Sequence, residues 1–181
     1  MLSKILSKET CAGCKFCCSF RRCSLWETPL FPEETVKKLG GKFDMEQKDG
    51  CGYGKMNFDD RYCTNDTKEE AACPYLDTQK GCILSEEDKP FDCKIWPLRI
   101  MRMKDISKRE GCAGGGIADE SRLVIALTPT CPAINKIDIE NVRNLVKEEL
   151  GSVIYEYARR HPYIVKEYRE GFPVLMEFDE F

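Results

Sequence analysis

Four thiols fall within eight residues at Cys11-Ala12-Gly13-Cys14-Lys15-Phe16-Cys17-Cys18, a C-x2-C-x2-C-C spacing. No other stretch restricts the fold as much. Side chains at that spacing converge on one point only if the backbone wraps tightly around it. The usual occupants of such a loop are metal ions and iron–sulfur clusters. The competing reading is disulfides, because the chain holds 12 cysteines in 181 residues. Disulfide frameworks belong to secreted chains, and Met1 to Lys8 has neither a sustained apolar core nor a small-residue cleavage site. Adjacent Cys17 and Cys18 also suit thiolates around metal better than a disulfide ladder. The expected compartment is the cytoplasm.

Composition removes several function classes. With 28 basic and 31 acidic residues the formal charge is -3, so no basic excess points to nucleic acid. No apolar run is long enough to span a bilayer. His161 is the single histidine, which excludes a Ser-His-Asp triad, and it reads as a helix-end residue. No phosphate loop, zincin motif or radical C-x3-C-x2-C motif is present. No residue is assigned a catalytic role.

Along the chain, Leu2 to Lys8 reads as a short helical lead-in. A helix is expected from Pro32, with Glu33 and Glu34 in its first turn and Lys37 and Lys38 in its last, stopped by Gly40-Gly41. Residues 42–66 read as an irregular loop. Thr67-Lys68-Glu69-Glu70 has the form of a capping box before a short helix. Two strands are expected, Leu98 to Met103 and Arg122 to Leu127, the second apolar enough to be buried on both faces. Gly111 to Gly116 between them reads as a flexible hairpin connection rather than a nucleotide loop. From Asp138, Ile139, Val142, Leu145, Val146, Leu150 and Val153 recur at helical spacing to about Arg160, with Gly151 a weak point and Pro162 the end. Tyr163 to Arg169 reads as one more short helix, closed by Gly171.

The later cysteines fall in short motifs: Cys73-Pro74-x-Leu76, Cys82-Ile83, Lys89-Pro90-x-x-Cys93-Lys94-x-Trp96-Pro97-Leu98 and Cys131-Pro132. In this order, after the opening C-x2-C-x2-C-C, they resemble the YkgJ-type, or CxxCxxCC, cysteine-cluster family, described as zinc- or iron-chelating. The resemblance covers about Cys11 to Pro132. The family commonly has Arg-Pro where this chain has Lys89-Pro90, and Tyr where it has Leu84. The cysteine region is also similar to that of flagellin lysine methylases thought to carry an iron–sulfur cluster, although no methylase motif follows. Residue by residue, the resemblance implies eight ligand cysteines: Cys11, Cys14, Cys17, Cys18, Cys73, Cys82, Cys93 and Cys131. Cys23, Cys51, Cys63 and Cys112 lie outside it, as free thiols or an additional site.

Eight thiolates are two sets of four, and both tetrahedral zinc and a cubane cluster take four. Neighbouring side chains diverge, so the simplest layout puts Cys11, Cys14 and Cys17 on one centre and Cys18 on another, or all on a shared polynuclear centre. C-x2-C-x2-C with a remote Cys-Pro is the ligand pattern of four-iron clusters, and zinc sites more often use histidine. The pattern therefore favours 4Fe-4S over zinc. Phe16, Phe20, Trp26 and Trp96 read as packing that shields the site. Asp92, Glu110 and Asp119 read as solvated charges rather than oxygen ligands.

The expected fold is α+β: a small, irregular, cysteine-rich metal-binding domain over 1–135 with a β-hairpin, and a C-terminal helical extension over 136–181 packed on it. The expected function is redox or electron transfer, or a maturation role, with a protein redox or client partner. The alternative is a zinc-bound structural or partner-binding module without catalysis.

Overall fold

The computed structural model describes residues 13–104 and 121–178. The class is α+β. Strand β1 (Ser19–Arg21) follows the cysteine loop, and β2 (Leu30–Pro32) leads into helix α1 (Glu33–Leu39). Helix α1 has the expected acidic start and basic end. It stops where Gly40, at φ 63°, donates its N–H to the Val36 carbonyl.

Residues 42–66 are not an irregular loop. Strands β3 (Phe43–Lys48) and β4 (Cys51–Met56) form an antiparallel hairpin in which Lys48 faces Cys51. Asp49 and Gly50 make the two-residue turn with φ of 50° and 77°, as a type I′ turn requires. Strand β2 joins the other edge of β4. The expected helix after Thr67 is also replaced by a turn. Asp66 Oδ1 accepts the Lys68 N–H, and Glu69 turns back to accept the N–H groups of Cys63 and Thr64. Glu70 then opens β5 (Glu70–Ala72), which pairs with β1.

Short strands β6 (Leu76–Asp77) and β7 (Gly81–Cys82) form a second hairpin, and helix α2 (Phe91–Ile95) starts after Pro90. The two expected strands are present as β8 (Leu98–Lys104) and β9 (Ser121–Leu127), antiparallel at the centre of a four-stranded sheet. Leu123 to Ala126 are fully enclosed, as the apolar run anticipates. The helical lead-in and the Gly111 to Gly116 connection lie outside the described residues.

Helix α3 (Ile139–Leu145) is capped by the Asp138 carboxylate, which accepts the Glu140 N–H. One π turn (Val146–Leu150) carries it into α4 (Gly151–Arg160). Gly151 is no weak point, because the helix there lies against the sheet. A Cβ on it would meet Met176 Sδ at 2.5 Å and the Val146 carbonyl at 2.9 Å. Beyond Pro162 the expected second helix is absent. One 3₁₀ turn (Pro162–Ile164) leads to β10 (Lys166–Glu167), parallel to β8, and β11 (Val174–Phe178) pairs with β9. The C-terminal segment therefore also supplies both edge strands of the main sheet.

Side-chain alternation gives β8 two faces. Leu98 and Ile100 pack toward Val142, Val146, Leu150 and Ile154 of the helical segment in the main core. Met101 lies in the cluster on the other face with Val124, Ala126 and Phe172, against Trp26. Arg99 shares that side by alternation. A separate small core holds Phe20, Phe31, Met56, Phe58, Tyr62 and Ala71. Among the described residues no helix is long and apolar enough to cross a membrane.

Candidate metal centre

Strand pairing joins the two ends of the cysteine pattern. Lys15, at φ 53°, turns the chain into a 3₁₀ turn (Phe16–Cys18) that hands over directly to β1. The β1–β5 register sets Ser19 opposite Ala72, so Cys18 and Cys73 are the next pair along. The Cys73 N–H donates to the Cys18 carbonyl at 2.7 Å. The β6–β7 hairpin returns Cys82 beside the same loop, with Leu76 opposite Cys82 and the Ile83 N–H donating to the Tyr75 carbonyl at 2.9 Å. Cys93 arrives from the first turn of α2. That helix is fixed to β2 by the Leu30 N–H, which donates to Asp92 Oδ2 at 3.2 Å.

These segments enclose a cavity of about 400 Å³. Among the described residues, six cysteines border it: Cys17, Cys18, Cys23, Cys73, Cys82 and Cys93. Phe16, Phe20, Trp26 and Trp96 all line it, as expected of shielding aromatics. Its volume falls in the range of small-molecule sites, ~300–1,000 Å³.

The thiols feel one another. Burial pushes the Cys73 thiol up to about 11, with Cys18 and Cys82 adding to the rise and the Tyr75 N–H, which bonds the sulfur, opposing it. Burial raises Cys93 well above the ordinary thiol value, helped by Asp92, Cys18 and Cys73 and opposed by Arg99. Cys93 is nonetheless solvent-accessible where it opens onto the cavity. At neutral pH these two thiols are protonated in the metal-free chain, so a thiolate form needs a cation beside it.

Asp92 is not a solvated charge. It and Arg99 are each 3% exposed, and Arg99 Nη1 stands 3.2 Å from Asp92 Oδ1. Arg99 Nη2 donates to the Glu27 carbonyl at 3.0 Å, and its guanidinium lies 4.7 Å from the centroid of the Trp96 ring. Glu110 and Asp119 lie outside the described residues.

The eight cysteines implied by the family resemblance do not all meet. Cys17, Cys18, Cys73, Cys82 and Cys93 border the same cavity, adjacent Cys17 and Cys18 both included. Cys14 is exposed, and it is not part of the cavity lining. Cys131, 4% exposed, packs in the main core, while its neighbour Thr130 reaches the cavity. Cys11 and Cys112 lie outside the described residues. Of the cysteines beyond the motif, Cys51 donates weakly to the Arg160 carbonyl across 3.4 Å and Cys63 is exposed. Cys23 joins the cavity, which its place five residues after Cys18 hinted at. Arg99 had no such signal.

Among the described residues, no three His, Cys, Asp or Glu side chains are grouped to hold a metal ion. The thiols instead stand around a wide cavity. The donor set around it is soft sulfur, which suits zinc and iron–sulfur centres alike. No family model, no curated protein and no solved structure matches this chain.

Proposed function

We propose that this chain is a metalloprotein that holds an iron–sulfur cluster in the cysteine-lined cavity and serves electron transfer or redox maturation with a protein partner. Cys18, Cys73, Cys82 and Cys93 are the proposed ligands, with Cys17 and Cys23 beside them. One observation carries the reading: thiols from four separate segments face a single aromatic-walled cavity. The motif order, which resembles that of the YkgJ-type family, supports it. When bound, such a cluster supplies a one-electron redox centre whose charge changes at little structural cost.

The chain's own residues prepare the site. The Tyr75 N–H bonds the Cys73 sulfur and stabilises its thiolate form. Trp26, Phe31 and Trp96 give the cavity an apolar aromatic wall that would shield one side of a bound cluster. The ladder between β1 and β5 holds Cys18 and Cys73 in fixed register before any metal arrives.

Voltammetry of anaerobically purified protein tests this. A reversible couple that disappears in Cys73→Ser supports the redox role. A redox-silent protein that unfolds when zinc is chelated would replace it with a structural zinc module.

A further inference from the structure

Arg99 is a buried cation on the cavity wall with hydrogen-bonding capacity left over. Strand alternation points it away from the helices and toward Trp26 and Glu27. Three contacts immobilise it: the Glu27 carbonyl, the Asp92 carboxylate and the Trp96 ring. Nη1 is in ion-pair range of Asp92 Oδ1, yet the two are not aligned as a hydrogen bond. The buried Nη1 therefore has no hydrogen-bond acceptor. An unmet buried donor of a charged group is costly, so it marks a position where an acceptor is missing.

The charge balance agrees. The cavity wall carries Arg21, Lys89 and Arg99 against Glu27, Glu70 and Asp92, and is neutral before any thiol ionises. Arg21 pairs with Glu70, and Lys89 with Glu86. Both pairs are partly open to solvent, whereas Arg99 is enclosed. Thiolates bound to iron would add net negative charge inside the wall, and among the described lining residues Arg99, ion-paired with Asp92, is the enclosed cation that borders them.

We infer that Arg99 is a positioning residue for the cofactor: its free Nη1 N–H is aimed at a sulfur of the thiolate-held cluster. Such N–H···S bonds stabilise the more negative, reduced state, so they raise the reduction potential. The Asp92 carboxylate and the Glu27 carbonyl hold the fork in place. This inference rests on the iron–sulfur reading above.

The test compares wild type, Arg99→Lys and Arg99→Gln, each reconstituted anaerobically with ferrous iron and sulfide. Three readouts are taken on each: iron per chain, thermal melting of the metal-free and loaded forms, and reduction potential by spectroelectrochemical titration. The expected result is a lower potential in Arg99→Gln with part of the shift recovered in Arg99→Lys, and several-fold faster bleaching of Arg99→Gln in air. Should Arg99→Gln fail to fold, the Arg99→Lys comparison decides alone, because it keeps the charge and alters the fork. Loaded variants with wild-type potential and bleaching rate overturn the Arg99 role and leave the cluster reading standing. A folded wild type that takes up neither iron nor sulfide overturns both.

Discussion

The Cys73 N–H donates to the Cys18 carbonyl across 2.7 Å, although 55 residues separate the two in sequence. That bond continues the ladder of β1 and β5. It ties Cys18 of the proximal motif to Cys73 of the distal one by backbone pairing. The site is thus preorganised, and its thiols should differ sharply in what their removal does.

Cys73→Ser is expected to abolish iron uptake in a chain that still folds. Cys131→Ser is expected to do the reverse, retaining iron while losing stability, because it puts a hydroxyl into an apolar core at a cost of ~1–3 kcal/mol. Iron content and urea unfolding of both variants check this. Full stability with lost iron in Cys131→Ser would mean that Cys131 is a ligand after all.

The metal-free chain should lose stability as pH rises from about 9 toward 11. Cys73 has a folded value raised from 9.0 to about 11, and Cys93 moves in the same direction. For an acid raised on folding, the unfolded chain gives up its proton first. The contribution is then complete below the unfolded value and disappears as pH climbs through the folded one. Cys73→Ala should show a shallower decline over that interval in pH-dependent melting. Parallel curves would contradict the assignment.

Gly151→Ala tests the contact between helix and sheet. Alanine favours an exposed helix by ~1 kcal/mol. Here the added methyl would collide with Met176 Sδ and the Val146 carbonyl, and overpacking costs ~1–3 kcal/mol. A lower melting temperature is expected; a higher one would show that the helix stands off the sheet.

Tyr62→Phe probes the small core beneath the cysteine loop. The Tyr62 hydroxyl donates to the Phe20 carbonyl at 2.8 Å in a buried setting. Its loss should cost ~1 kcal/mol, read by chemical denaturation, with iron uptake retained. No change in stability would indicate that water replaces the bond.

Much of this was legible from residues alone, and the misses have physical causes. Helix α1 and strands β8 and β9 followed their periodicity, since each buries one regular pattern. The β3–β4 hairpin was missed because Gly50, Gly52 and Gly54 suggested a loop. Asp49-Gly50 was the sign of a tight turn, and Gly54 lies under Val36 and Phe43, where a side chain has no room. Tyr163 to Arg169 looked helical in composition, but pairing with β8 outweighed local preference. In the site, cysteine spacing marked the ligand types and could not say which thiols meet. Cys131 shares the motif grammar yet faces the core. Arg99 sat inside an apolar strand pattern, and only the alternation of β8 turns it to the cavity.

The most direct measurement is the iron and acid-labile sulfide content of protein purified without oxygen. The account predicts brown protein with roughly four irons and four sulfides per chain, the stoichiometry of a cubane cluster, both lost in Cys18→Ser and in Cys73→Ser. Colourless protein with stoichiometric zinc and no sulfide would contradict it.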